Sequence, residues 1–232
     1  MIHFATSTAV REAERGKVAR RLKSLYPNSH QLQAFSIDIS ATGGPNVAVE
    51  QEPQGIRLTS DDETDIVLIQ HNGVVISRLA PYPGWKKFRE RAFSVWAEWR
   101  AVTSNPPVSR IGIRYINRID IPYANEPIDP RDYLLFSPQD PGISSSPMLH
   151  GYVVQITKST DAPHWLTSIA STLVSPPPLL DHISILFDID VFRTKEIPRR
   201  DDELWVVVDQ ARAIKNEIFE RCITKKTREL IS

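Results

Sequence analysis

The chain has 232 residues, with 28 Lys plus Arg balanced by 28 Asp plus Glu and a formal net charge of zero. That length suits one large domain whose core needs no disulfide or metal, and the charge balance excludes a whole-protein basic field for nucleic acid. Cys222 is the only cysteine, which excludes an intramolecular disulfide and a thiolate metal cluster and fits a reducing cytoplasm.

The first residues, MIHFATSTAVREAERGKVARRLKSL, are interrupted by charges too early for a secretory h-region. No apolar run approaches the roughly 20 residues that cross a bilayer. The expectation is a soluble, cytoplasmic protein with no membrane partner. Residues 8–25 read as a basic helix, with Val18, Leu22 and Leu25 on one face among Arg11, Arg15, Lys17, Arg20, Arg21 and Lys23. A solvated surface helix is the plain reading; a basic arm for nucleic acid or a partner is the sharper one, diluted by Glu12 and Glu14. Tyr26-Pro27 ends it, because the residue before proline avoids the α region.

Strands follow at 35–40, 55–62, 65–70 and 73–79, and Asn72-Gly73 is a hairpin turn signal. Residues 41–54, with Gly43-Gly44-Pro45 and Pro53, read as a loop. A helix starts near Gly84, where Trp85, Phe88, Ala92, Trp96 and Trp99 recur every three or four residues. Such a stripe marks a helix lying on a sheet more readily than a stacking platform for bases. Residues 132–135 read as a short helix or turn, and 137–147 as a loop. Strands are expected at 150–160, 163–175 and 179–193, with Pro176-Pro177-Pro178 as a break. A last helix runs from Asp201 to the end, acidic at its start and basic at Lys225, Lys226 and Arg228. Leu204, Val208, Ala211, Ile214, Ile218 and Ile223 form its apolar stripe.

Runs of strands without intervening helices predict antiparallel pairing. The expected fold is α+β: a twisted antiparallel sheet with two long helices packed on it, in one domain over 1–232. A strand-strand-strand-helix unit in each of the halves 30–122 and 123–232 is a candidate duplication.

The most unusual stretch is RIGIRYINRIDIP, residues 110–122, with Arg110, Arg114 and Arg118 four apart. Its isoleucines and bounding prolines favour a strand. Odd positions then give a core face of Ile111, Ile113, Tyr115, Asn117, Ile119 and Ile121. The arginines stand on the other face, about 13 Å apart. The strand at 179–193 is complementary: Ile183, Ile185, Phe187, Ile189 and Val191 on one side, and His182, Ser184, Asp188 and Asp190 on the other. Cross-strand Arg–Asp pairing would account for both rows. The functional alternative is an anion-binding surface, since the guanidinium fork grips oxyanions bidentately. Gly112 would let a ligand or backbone come close. A third reading uses Asp188 and Asp190 as magnesium ligands.

Established catalytic patterns are missing. Gly43-Gly44 is the only glycine pair, so no phosphate loop forms. The six histidines show no metal-ligand spacing, and no serine sits in a G-x-S-x-G elbow. Cys222, on the last helix, reads as a packed thiol.

The segments LAPYPGWKKFRERAFSVWAEW (79–99), SRIGIRYINRIDIP (109–122), RDYL (131–134), LFDIDVF (186–192) and IKNEIFERCIT (214–224) resemble a sporadically distributed family of bacterial and archaeal hypothetical proteins, about 250 residues long and without an established activity. R-x-G-x-R-Y-x-N-R is the most distinctive piece. The likeness spans residues 55 to 230; the first 50 fit less well, because the family opens with an aliphatic-Pro strand segment where this chain has a basic helix. The resemblance brings no catalytic residues. It marks Arg114, Tyr115, Asn117 and Arg118, and its patchy distribution resembles that of toxin–antitoxin or phage-defence genes.

Three functions follow as expectations. The first is a non-enzymatic interaction protein that needs no cofactor and holds an anionic small molecule or a cognate operon-encoded protein. Its ligand-binding candidates are Arg110, Arg114, Tyr115, Asn117 and Arg118. The second is a metal-dependent enzyme on phosphorylated or nucleotide substrates, with Asp188 and Asp190 at the metal. The third is direct nucleic-acid binding through the helix at 8–25 and the arginine strand, disfavoured by the zero net charge.

Overall fold

The computed structural model describes residues 1–40, 46–122, 128–139, 150–174 and 181–231. The chain is α+β with antiparallel strands, and it divides into two compact units, Met1–Ile111 and Gly112–Ser232. In the first, β1 (Ile2–Thr6) precedes α1 (Glu12–Leu22), β2 (Asn28–Ser40), β3 (Asn46–Thr59), β4 (Asp65–Gln70), β5 (Gly73–Arg78) and α2 (Trp85–Val102). Strand β6 (Val108–Pro122) runs across the boundary. The second unit continues with a single 3-10 turn at Pro130–Asp132, then β7 (Val153–Ser159), β8 (Leu166–Val174), β9 (His182–Arg193), α3 (Asp201–Cys222) and α4 (Lys225–Leu230).

The strands of the first unit lie in the order β2-β3-β4-β5-β1, antiparallel throughout. Those of the second lie in the order β6-β9-β8-β7. Each unit therefore makes the same moves. The last strand of a meander lies beside the opening strand and a long helix follows it; the first unit adds α1 before its meander, and the second adds α4 after its long helix.

In the first unit α1 and α2 pack on each other and on β3, β4 and β5. The tryptophan stripe is core: Trp96 and Trp99 are fully buried and stacked 5.0 Å apart, and the Phe4 ring lies 4.1 Å from Trp96. Gly73 opens β5 where that strand starts beside β1, and a Cβ there would overlap the Phe4 carbonyl oxygen, so only glycine fits. Asp65 is buried beneath this layer. It accepts from Arg78 Nη1 at 2.7 Å and pairs with Arg91 Nη1 at 2.6 Å, so its charge is compensated twice.

Several expectations change in the structure. Strand β1, at Ile2–Thr6 ahead of the basic helix, is not anticipated in the sequence, and that helix, expected over 8–25, spans Glu12–Leu22. Residues 46–54, expected as loop, belong to β3. Its pairing with β2 shifts register after Leu32, where Gln33 faces Pro53, and a proline without an N–H is tolerated at such an irregularity. The glycine pair Gly43-Gly44 and the proline run 176–178 lie outside the described residues, as do residues 140–147 of the expected loop.

The last helix does not run to the end. Ile223 is extended, and Thr224 caps a separate α4 by accepting from Thr227 N–H. The break is held by residues 133–135. Leu135 N–H donates to the Cys222 carbonyl and Thr224 N–H to the Tyr133 carbonyl, while Leu134 bridges to Ile223.

Asp65→Ala leaves Arg78 and Arg91 without their shared carboxylate. It is expected to cost about 3 kcal/mol, read as a lowered urea midpoint; an unchanged midpoint would show that the pair contributes nothing to folding.

Candidate functional site

The candidate site is built on β6 and β9 of the second unit. The alternation expected from the sequence is present. Ile113, Ile119 and Ile121 are buried on one side of β6, and Ile185, Phe187, Ile189 and Val191 on one side of β9. Helix α3 packs on β9, with the Phe219 ring 6.3 Å from Phe187. The arginines occupy the opposite, open side.

Arg114 Nε donates to both carboxylate oxygens of Asp188, at 2.9 and 3.0 Å, and Nη2 donates to Oδ2 at 2.5 Å. This bond is the main reason the Arg114 pKa is raised; partial burial opposes the rise, and the charges of Asp188 and Asp190 add to it. The Arg114 side chain keeps 44% of its surface exposed, so the pair is worth no more than about 1 kcal/mol of stability. Its larger effect is to fix where the guanidinium points.

Arg118 is held in a second network. Its Nε donates to Asp120 Oδ1 at 2.7 Å and to Ser184 Oγ at 3.1 Å, and the Ser184 hydroxyl donates to the same Asp120 oxygen at 2.5 Å. Burial works to raise the Asp120 pKa, but the bonds from Ser184 and Arg118 outweigh it and hold the carboxyl low. Arg114 is thus paired with a carboxylate across the strands, as cross-strand Arg–Asp pairing predicts, whereas the carboxylate on Arg118 is Asp120 of its own strand and its cross-strand partner is the Ser184 hydroxyl.

Between them stands Ile116, 54% exposed. The pairs Arg114–Asp188 and Arg118–Ser184 put Ile116 opposite Leu186 on β9. Leu186 faces Thr172 on β8, which faces Val153 on β7. Val153 is itself well exposed. A mainly apolar row therefore crosses the open side of the four strands, with an oriented arginine on each flank of its β6 end.

The other candidates lie elsewhere. Tyr115 and Asn117 project to the opposite side of β6 from Arg114 and Arg118. Asn117 Nδ2 donates to the Phe187 carbonyl at 3.0 Å, a strand-to-strand bond rather than a ligand contact. The Tyr115 ring carries the ammonium of Lys215, on α3, 3.9 Å from its centre. Burial first and the Arg212 charge second lower the Lys215 pKa to about 8, with Glu220 acting against both. Arg110 belongs to the first unit, where its Nη1 lies 2.8 Å from Nδ1 of His3. Arginine only donates, so Nδ1 accepts and carries no proton. Burial first, and the Arg110 charge second, lower the His3 pKa to about 4.

The metal reading finds little support here. Both Asp188 oxygens are engaged by Arg114, and no group of three or more His, Cys, Asp or Glu among the described residues is placed to hold an ion. Burial raises the Cys222 pKa, as befits a packed thiol. Among the described residues no helix is long and apolar enough to cross a membrane. Sequence reasoning missed Ser184 as an arginine partner, His3 as the partner of Arg110, and Lys215 altogether. The one visible signal was Ile116, the lone isoleucine on the arginine side.

No family model, no curated protein and no solved structure matches the chain.

His3 makes stability depend on pH. Its pKa is lower folded than unfolded, so between about 6.5 and 4 the unfolded chain binds a proton that the folded one refuses. Stability contributed by neutral His3 is complete above pH 6.5 and is lost as pH falls toward 4. At pH 4.5 the wild type should have lost about 2 kcal/mol more, relative to pH 7, than His3→Gln has lost. Urea melts of both proteins at the two pH values measure this; parallel losses would show that His3 does not titrate as described.

Proposed function

We propose that the chain is a non-enzymatic interaction protein that engages a partner protein through the open side of the β6-β9-β8-β7 strands. The observation that supports this best is Ile116, exposed between two arginines whose guanidinium groups are already fixed. An apolar centre with an ordered polar rim is the usual anatomy of a protein interface. Pre-orientation spares the entropy that free arginine side chains would lose on binding.

The rival readings fit this surface less well. Two arginines share the face with Asp120, Asp188 and Asp190, so it has no positive excess to release counterions from nucleic acid. A small anion would have to displace carboxylates that hold both forks. A magnesium ion at Asp188 would have to displace Arg114. The family resemblance suggests the partner class, a cognate protein encoded beside this one, as in toxin–antitoxin or phage-defence gene clusters.

The tagged chain purified from cells carrying its native gene neighbourhood should bring down one stoichiometric protein. Ile116→Asp should weaken that complex at least about 30-fold. Arg114→Glu with Arg118→Glu should abolish it, with the urea midpoint lowered only slightly. Undiminished affinity in both variants would rule this surface out.

A further inference from the structure

A cleft in the Met1–Ile111 unit opens between α1 and the paired strands β2 and β3. Its volume is about 480 Å³, within the range of sites that take small metabolites. Glu12, Gly16 and Arg20 line it from successive turns of α1, Arg15 from the buried side of the same helix, and Gln31 and Ile56 from the strands. A Cβ on Gly16 would have only Arg20 Nη1 near it, at 3.5 Å, so the helix leaves this part of the cleft open.

Arg15 is the informative residue. It is only 9% exposed. Its Nη1 donates to the Val10 carbonyl at 2.7 Å, which fixes the guanidinium beside the entry to α1. Among the described residues that is its one hydrogen bond, and no carboxylate pairs with it. The Glu14 carboxylate is engaged by Arg11, through both its side chain and its backbone N–H. Buried cations are normally paired, because a charge taken out of water is costly without a counter-charge. Arg78 and Arg91 of the same unit obey that rule through Asp65. Arg15 departs from it close to the positive end of a helix, where a cation is further disfavoured and an anion is welcome. The nitrogens it leaves unbonded keep accessible surface, so a molecule in the cleft can reach them.

We propose that this cleft binds a small metabolite through an oxyanion group, a phosphate or a carboxylate, that accepts from the free N–H groups of Arg15, with Arg20 adding charge and the body of the molecule lying over Gly16 and Ile56. Glu12 stands about 12 Å along the helix from Arg20 and keeps the anionic group at the arginine end. This assignment and the partner surface on β6-β9-β8-β7 do not depend on each other.

Inorganic phosphate and acetate test the proposal, because they present the two oxyanion groups alone. Each is titrated into the full chain at pH 7 and constant ionic strength while the Arg15 Nε–H signal and the Gly16 backbone amide are followed by ¹H–¹⁵N NMR. At least one should shift both signals saturably, half-saturating at roughly millimolar concentration. The tighter of the two assigns the ligand to phosphate esters or to carboxylates. Arg15→Met, which keeps an unbranched apolar chain at the buried position, should weaken binding at least roughly ten-fold. Gly16→Glu has room for its Cβ, and its carboxylate reaches Arg20 one turn on, so this variant should fold and exclude both anions. Arg21→Gln removes a cation of the same helix that is bonded to Glu98 outside the cleft, and it should bind like the wild type. The proposal is overturned if neither anion saturates, which would mean an adventitious ion only, if Arg15→Met or Gly16→Glu binds as tightly as the wild type, or if Arg21→Gln weakens binding as much as Arg15→Met.

Discussion

A strand covered on one side only is the constraint on which the second unit depends. Residues 112–122 of β6 alternate between a side that must be apolar and a side that need not be. Ile113, Ile119 and Ile121 meet the first requirement and are buried. The second side is free to hold charge, and a two-residue period puts Arg114 and Arg118 there together, one residue apart on that face. A slip of one residue would drive both guanidinium groups into the core and lift the isoleucines out. The hydrophobic effect that fixes the register thus also fixes where the charges emerge.

Strand β9 obeys the same constraint in mirror image, and the two strands complete each other. Its apolar side meets α3, and its polar side supplies Asp188 to Arg114 and Ser184 to Arg118. The energetic return is modest, because exposed ion pairs gain little over solvation. What the networks provide is order. Two long side chains that would otherwise sample many rotamers are held on either side of Ile116. On the helix side the demands differ. Lys215 is tolerated because the Tyr115 ring lies against its ammonium, and the end of α3 is pinned by backbone bonds from residues 133–135.

Much of this could be read from periodicity. The pattern of β6 and β9 was legible because both strands are long and their isoleucines recur without a break. The tryptophan helix was legible because four large aromatic side chains and Ala92 repeat along one stripe. Strand β1 was not, because five residues are too few for a period and His3 interrupts the apolar pattern. The division between α3 and α4 was hidden because IKNEIFERCITKK reads as continuous helix. Only the distant segment Tyr133–Leu135, bonding to Cys222 and Thr224, stops it. The arginine partners divide in the same way. Asp188 was foreseen from charge complementarity between two strands, whereas Ser184 needed the register, and the pairing of His3 with Arg110 joins residues 107 apart.

A partner seated on the side of β6 that bears Ile116 would shield that side chain from solvent. Hydroxyl-radical footprinting of the chain, alone and in the complex purified from its native gene neighbourhood, measures this side chain by side chain. Oxidation of Ile116 and Leu186 should fall several-fold in the complex while exposed side chains on α1 and α4 react as before. Unchanged oxidation of Ile116 with protection elsewhere, or the absence of any complex, would contradict it.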